Sequence, residues 1–243
     1  MPEIIAGITI PDSAVAREAT ELVRDVESDL LYHHSRRVFV FGSLRGHALG
    51  RGFDDELLYI SAMFHDLGLT EKYRSDDLRF EIDAANLVRD FLTGHGYSQH
   101  DAEEAWASIA LHTTPMVPLH MSPLVELVTR GVELDVMGVD YHELTDAQRE
   151  EITSVHPRPR FKEGIIESFA QGLFHRPQTT FGNVKADVLA DQMPGFERGN
   201  FVDEIRGSDW PELSRTLCDH RTTAGPLRRA AQGTRRRGRP WAG

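Results

Sequence analysis

The sequence contains a single cysteine, Cys218, among 243 residues. One thiol permits no disulfide framework within the chain and no cysteine-rich zinc site, and it fits a reducing, cytoplasmic setting. Long hydrophobic runs are missing too. No stretch approaches the roughly 20 apolar residues that a membrane span needs. The first residues, Met1-Pro2-Glu3-Ile4-Ile5-Ala6-Gly7, lack the basic start and apolar core expected of a secretory leader. Aromatic residues make up only 8% of the chain, and basic residues are outnumbered, with 27 Lys and Arg against 38 Asp and Glu. The formal charge of −11 argues against nucleic acid or an anionic membrane as the main partner. A small-molecule substrate fits better, and apolar Phe residues in the C-terminal third leave a homodimer open. Alternating strand patterns are nearly absent as well. Ile4 to Ile10 is the best strand candidate, and it does not alternate.

Helical patterns fill the space that strands leave. Pro11-Asp12-Ser13 offers a cap before an amphipathic run from Ala14 to Val26. Asp29 opens a second run that carries Leu30, Leu31, His34, Val38 and Phe41. The acidic Asp54-Asp55-Glu56 suits the N-terminus of a third, ending near Gly68. Ser75 to Leu92 reads as a fourth helix and Ala102 to His112, capped by Ser98, as a fifth. Leu124 to Arg130 reads as a short helix after the breaks at Pro115, Pro118 and Pro123, and Thr145 caps another. The expected fold is all-α: an N-terminal helical segment (1–28), a helical core (29–160), a less regular extension packed on it (161–221) and a basic tail (222–243). The tail holds Arg228, Arg229, Arg235, Arg236, Arg237 and Arg239 without an acid, a composition expected to be disordered and dispensable for catalysis.

The chemistry centres on His65-Asp66, an imidazole and a carboxylate at the end of the apolar run Leu57 to Phe64. Burying such a pair is costly unless a charge lies between the two groups, and a divalent metal is one such charge. His34 precedes the pair, on the same helical face as Val38. Taken alone, His34 reads more readily as a hydrogen-bonded core histidine than as a ligand, and His65-Asp66 reads equally well as a chance dipeptide. The ordered set H…HD…D, closed by Asp135 in Leu134-Asp135-Val136-Met137-Gly138, favours a metal site.

This pattern resembles the HD-domain superfamily of metal-dependent hydrolases. Phe80-Glu81-Ile82-Asp83-Ala84-Ala85, Phe91-Leu92-Thr93-Gly94-His95-Gly96 and Trp106 to Thr114 further resemble its cyanamide hydratase branch, whose members add water to a C≡N group. The resemblance implies an HD-domain helical bundle with His34, His65, Asp66 and Asp135 as ligands to one divalent ion, zinc first, with iron, manganese or nickel as alternatives. Two His and two Asp would leave one or two positions open, as a catalytic site requires. His112 is then the candidate for proton transfer, since an imidazole both gives and takes protons near pH 7. Asp66 can also steer a water with its second oxygen. Thr113, Thr114, His95 and His120 are candidates for substrate contact. Some HD proteins bind two metals, and His95 with His112, or His112 with His120, are the candidate ligands for a second ion, while the cyanamide hydratase resemblance favours a single one. A phosphohydrolase acting on a nucleotide or other phosphomonoester is the alternative function. The scarcity of basic residues near the motifs favours a neutral substrate, and Arg37 is expected to pair with an acid of Asp54-Asp55-Glu56.

Overall fold

A computed structural model describes residues 2–207; the basic tail at 222–243, its expected disorder and Cys218 lie outside them. Ten α-helices and a minimal hairpin make up the described chain, so the all-α expectation holds. The strand candidate resolves into β1 (Ile4–Ile5) and β2 (Ile8–Thr9), paired antiparallel with Ile5 opposite Ile8. The Ala6-Gly7 turn consumes the residues that continuous alternation would have needed.

The N-terminal helices start where their caps place them. Ser13 caps α1 (Ala14–Val26) by accepting from the Ala16 amide, and Ser28 caps α2 (Asp29–Ala48) by accepting from Leu31. Asp54 caps α3 (Asp55–Phe64). This helix is apolar on all sides, and every residue from Leu57 to Phe64 is buried, so it forms the axis of the bundle. A short 3-10 turn, Leu67–Leu69, follows the His-Asp pair.

Two boundaries differ from the sequence expectation. The fourth helix, α4, spans Phe80–Gly94 rather than starting at Ser75. Arg176 explains the delay. Its side chain is fully buried and donates to the Ser75 and Leu78 carbonyls (3.1 and 2.9 Å) and to Asp83, which also accepts from the Ser75 amide. Those carbonyls are therefore held in a loop instead of a helical ladder. After α5 (Gln99–Leu111), α6 runs unbroken over Pro123–Met137 and does not stop at Arg130. Gly131 sits inside it because a Cβ there would lie 2.3 Å from the Val38 carbonyl oxygen. The residue that reads as a helix breaker lets α6 lie against α2, and that approach faces Asp135 towards His34.

Beyond α6 the helices are on average shorter. This region contains α7 (Asp146–Val155, with a Thr145/Gln148 capping box), α8 (Phe161–Leu173), α9 (Lys185–Gln192) and α10 (Phe201–Arg206). Helix α8 adds two small apolar clusters to the main core, one through Phe161 and Ile165 on Leu31, the other through Leu173 on Leu69 and Phe80. Among the described residues, no helix is long and apolar enough to cross a membrane.

Candidate metal centre

His34 projects from α2, while His65 caps the C-terminus of α3 and Asp66 begins the turn beyond it. The turn is pinned from both sides. A Cβ on Gly68 would lie 2.0 Å from the Phe80 carbonyl oxygen, so only glycine lets the turn meet the start of α4. The Gly68 carbonyl accepts from Arg176 Nη2 at 2.6 Å. His34, His65 and Asp66 are each at most 1% exposed, and each offers a ligand atom within 4.8 Å of the other two.

The spacings suit a cation. His34 Nε2 lies 3.2 Å from His65 Nε2, and Asp66 Oδ2 lies 3.3 Å from His65 Nε2 and 3.7 Å from His34 Nε2. An ion about 2.0–2.2 Å from each atom would hold tetrahedral ligands roughly 3.3–3.6 Å apart. The hydrogen bonding leads to the same conclusion. His65 Nδ1 is 2.7 Å from the Ala62 carbonyl, and His34 Nδ1 is 2.6 Å from Asp135 Oδ2. Both oxygens act as acceptors, so each Nδ1 carries the proton and, in a neutral ring, each Nε2 carries a lone pair. Burial is the main influence on the His65 ring, taking its pKa down to about 3 and keeping it neutral. Two ring nitrogens therefore face each other, and beside them both Asp66 oxygens are buried without a hydrogen-bond partner. Buried polar atoms left in this state are costly. A divalent cation would satisfy all of them, so the residues fit the metal.

His112 lies beside this cluster. It caps the C-terminus of α5, with Nδ1 donating to the Ile109 carbonyl at 2.6 Å and Nε2 3.8 Å from Asp66 Oδ1. Its ring meets His65 edge-on at 5.0 Å and Phe80 at 5.6 Å. Burial pushes its pKa below the ordinary value, against the opposing pull of Asp66 and Glu81.

Asp135 takes a different place from the fourth ligand that the sequence suggests. Its carboxylate accepts from His34 Nδ1 and from Arg37 Nε and Nη2, both at 2.8 Å, and Arg158 Nη1 also donates to Oδ1. It stands behind His34, on the side away from Asp66, and outside the three-residue cluster. Burial raises its pKa, but His34 and Arg37 outweigh that and hold the carboxyl well below the usual range. The same contacts revise Arg37, which pairs with Asp135 instead of the acids that open α3.

The remaining candidates separate. Thr113 donates to Glu81 and contacts Lys185 Nζ at 2.5 Å, next to His112; Thr114 is half-buried with no side-chain hydrogen bond among the described residues. His95 ends α4 facing outward, with Nε2 3.0 Å from Glu18, and His120 is exposed. Neither joins the cluster, so the pairings of His112 with His95 or His120 are not assembled here.

Two groups, Lys185 and Glu27, escaped the sequence reading. Glu81 and Lys185 form a buried ion pair beside Thr113. Burial raises the Glu81 carboxyl, yet Lys185, His112 and Arg79 together bring it down to about 2. Glu27 follows α1 and reads in sequence as a solvated turn residue. Its carboxyl is enclosed, with Oε1 unpartnered and Oε2 3.5 Å from Ser35 Oγ. Burial and then the negative charge of Asp66 raise its pKa well above the ordinary value. No sequence signal marks Lys185, which arrives from α9, more than 100 residues after Glu81.

Residues 31–140, covering α2 to α6, match the HD domain family. None of the curated proteins compared with the chain matches it significantly. The family match and the buried His/Asp cluster together support a metal-dependent hydrolase fold.

Proposed function

We propose that this chain is a metal-dependent enzyme of the HD-domain type that activates water for addition to a small, neutral, nitrile-like substrate. The observation that carries the metal reading is the pair of partnerless Asp66 oxygens beside the facing His34 and His65 nitrogens. In this reading His34, His65 and Asp66 hold one divalent ion, zinc first. Held by these three residues, a divalent ion would lower the pKa of water from about 15.7 toward about 7 and so make a nucleophile available near neutral pH. His112 would take up the water proton at Nε2, the ring nitrogen left unprotonated by the Ile109 contact, and return it to the substrate nitrogen as the oxygen adds to carbon. Asp135 keeps His34 in the Nδ1-protonated tautomer, a carboxylate–histidine arrangement that raises ligand basicity. Phe161 and Phe80, against His34 and His112, help exclude bulk water.

The neutral substrate is favoured by the state of the nearby cations. Arg37 is spent on Asp135 and two carbonyls, Arg36 on Glu3 and Tyr59, and Lys185 on Glu81. A phosphomonoester needs convergent cations at the reacting group. A phosphohydrolase is the second reading, favoured by the match of residues 31–140 to the HD domain family. Parallel turnover assays on cyanamide and p-nitrophenyl phosphate, on protein of known metal content, decide between them. Hydration of cyanamide supports the first reading, and phosphate release alone replaces it with the second.

A further inference from the structure

A cavity of about 460 Å³ lies between the C-terminal end of α6, α7 and the start of α8. Phe41, Leu134 and Leu144 contribute apolar wall, and Arg149, Arg158 and Lys162 contribute three cations. The acids that line it are Asp135 and Glu150. Asp135 is already matched by the bidentate guanidinium of Arg37, which leaves Arg158 as a surplus second cation on the same carboxylate. Arg149 is tied to Asp146 and to the carbonyls of Tyr141 and Leu144. Lys162 is exposed and has no ion-pair or hydrogen-bond partner among the described residues. A surplus guanidinium and an unpaired ammonium thus border one pocket, in a protein whose formal charge is −11.

We propose that this cavity binds a small oxyanion, a sulfate- or phosphate-type group, and that its occupancy regulates the metal centre through Arg158, Asp135 and His34. The proposal rests on the reading of His34 as a metal ligand. The contacts are continuous: Arg158 Nη1 on Asp135 Oδ1, then Asp135 Oδ2 on His34 Nδ1 at 2.6 Å. Arg158 is the more exposed member, with 28% of its side chain in solvent and a further bond from Nη1 to the Asp135 carbonyl at 2.9 Å, whereas Arg37 and Asp135 are fully enclosed. An anion between Lys162 and Arg158 draws the Arg158 guanidinium off Oδ1. Asp135 then shares its charge with one cation fewer, its hydrogen bond to His34 strengthens, and His34 becomes the more basic ligand. Anion and metal therefore favour each other, and by linkage each raises the affinity for the other by the same factor.

The test uses the full chain, stripped of metal by chelation, with sulfate as the anion and Mn²⁺ as the metal, both followed by calorimetry. Chloride at matched ionic strength controls for screening. The expected results are saturable sulfate binding to the metal-free protein and an Mn²⁺ Kd lowered about fivefold or more at saturating sulfate. K162M should lose sulfate binding. R158M should bind Mn²⁺ more tightly than the wild type without sulfate and show no further response to it. A nucleoside monophosphate titrated in parallel separates the sources of the anion: tighter binding than sulfate assigns the cavity to an organic phosphate, and equal binding to a free oxyanion. The proposal is overturned if sulfate does not bind saturably, if it binds K162M and R158M as it binds the wild type, or if Mn²⁺ affinity ignores it. Absence of all Mn²⁺ uptake, with sulfate binding intact and lost in K162M, would refute the metal reading and the coupling while leaving the anion site standing.

Discussion

Replacing Asp135 by Asn should damage the protein in two separable ways. Asp135 is the counterion of Arg37, whose side chain is fully buried and whose Nε and Nη2 both donate to it at 2.8 Å. Neutralising one partner of such a pair leaves an uncompensated buried charge, worth about 3–5 kcal/mol. Asn keeps one oxygen as an acceptor, and the His156 and Pro157 carbonyls still hold Arg37 Nη1, so the lower end, about 3 kcal/mol, is the expected loss. For a chain of this size that is a drop in Tm of roughly 6–12 °C. The second effect is on the metal. Without the carboxylate on Nδ1, His34 loses orientation and basicity, and metal affinity should fall about 10- to 100-fold. Urea unfolding of the metal-free protein reads the first effect and metal titration of the folded protein reads the second. Because Asp135 is held below the usual carboxylate range when folded, its stabilisation is complete above the unfolded pKa of about 3.9 and fades as pH falls further. Wild type and variant should therefore converge in strong acid. A D135N protein within about 0.5 kcal/mol of wild type, with unchanged metal affinity, would refute this reasoning. Complete loss of metal uptake in a folded variant would instead return Asp135 to the ligand set.

Other perturbations test the supports of the site. Arg176→Met strands the carbonyls of Gly68, Ser75 and Leu78 and leaves Asp83 without its cation, so unfolding free energy should drop by about 3–5 kcal/mol, measured by chemical denaturation. Gly131→Ala forces α6 off α2 at the Val38 carbonyl; a loss of about 1–3 kcal/mol and weakened metal binding should appear together in thermal melts and metal titrations. The Glu81 carboxyl sits at about 2 when folded, below its ordinary value of 4.5. It therefore contributes stability that is fully present above that ordinary value and lost as pH falls toward 2, roughly 3 kcal/mol in all. In K185M most of this acid-sensitive contribution should vanish, so the pH dependence of denaturation between those values should flatten.

The placements of His34, His65, Asp66 and His112 were legible in the sequence because each sits at a fixed place in a strong helical pattern. His34 shares a face with Val38, His65-Asp66 ends a fully apolar run, and His112 ends a capped helix. Helix starts were legible where a Ser, Thr or Asp side chain could take the first free amides, as at Ser13, Asp54, Ser98 and Thr145. Non-local contacts overrode local signals elsewhere. Gly131 reads as a breaker until α2 lies against it, and Ser75 to Arg79 reads as helix until Arg176 takes its carbonyls. Charge pairing was the least legible feature. Arg37 has acids nearer in sequence than Asp135, and Lys185 reaches Glu81 from a helix outside the matched family segment. A buried ion pair is chosen by proximity in space, which residue spacing along the chain does not encode.

The most direct test of the central claim is elemental analysis of the purified full chain beside its H34A, H65A and D66N variants, each first shown by circular dichroism to be folded. A single bound ion in the wild type, lost from each folded variant, is the predicted result. Metal-free wild-type protein that takes up no divalent ion on reconstitution, or variants that retain the ion, would contradict the assignment of His34, His65 and Asp66 as a metal centre.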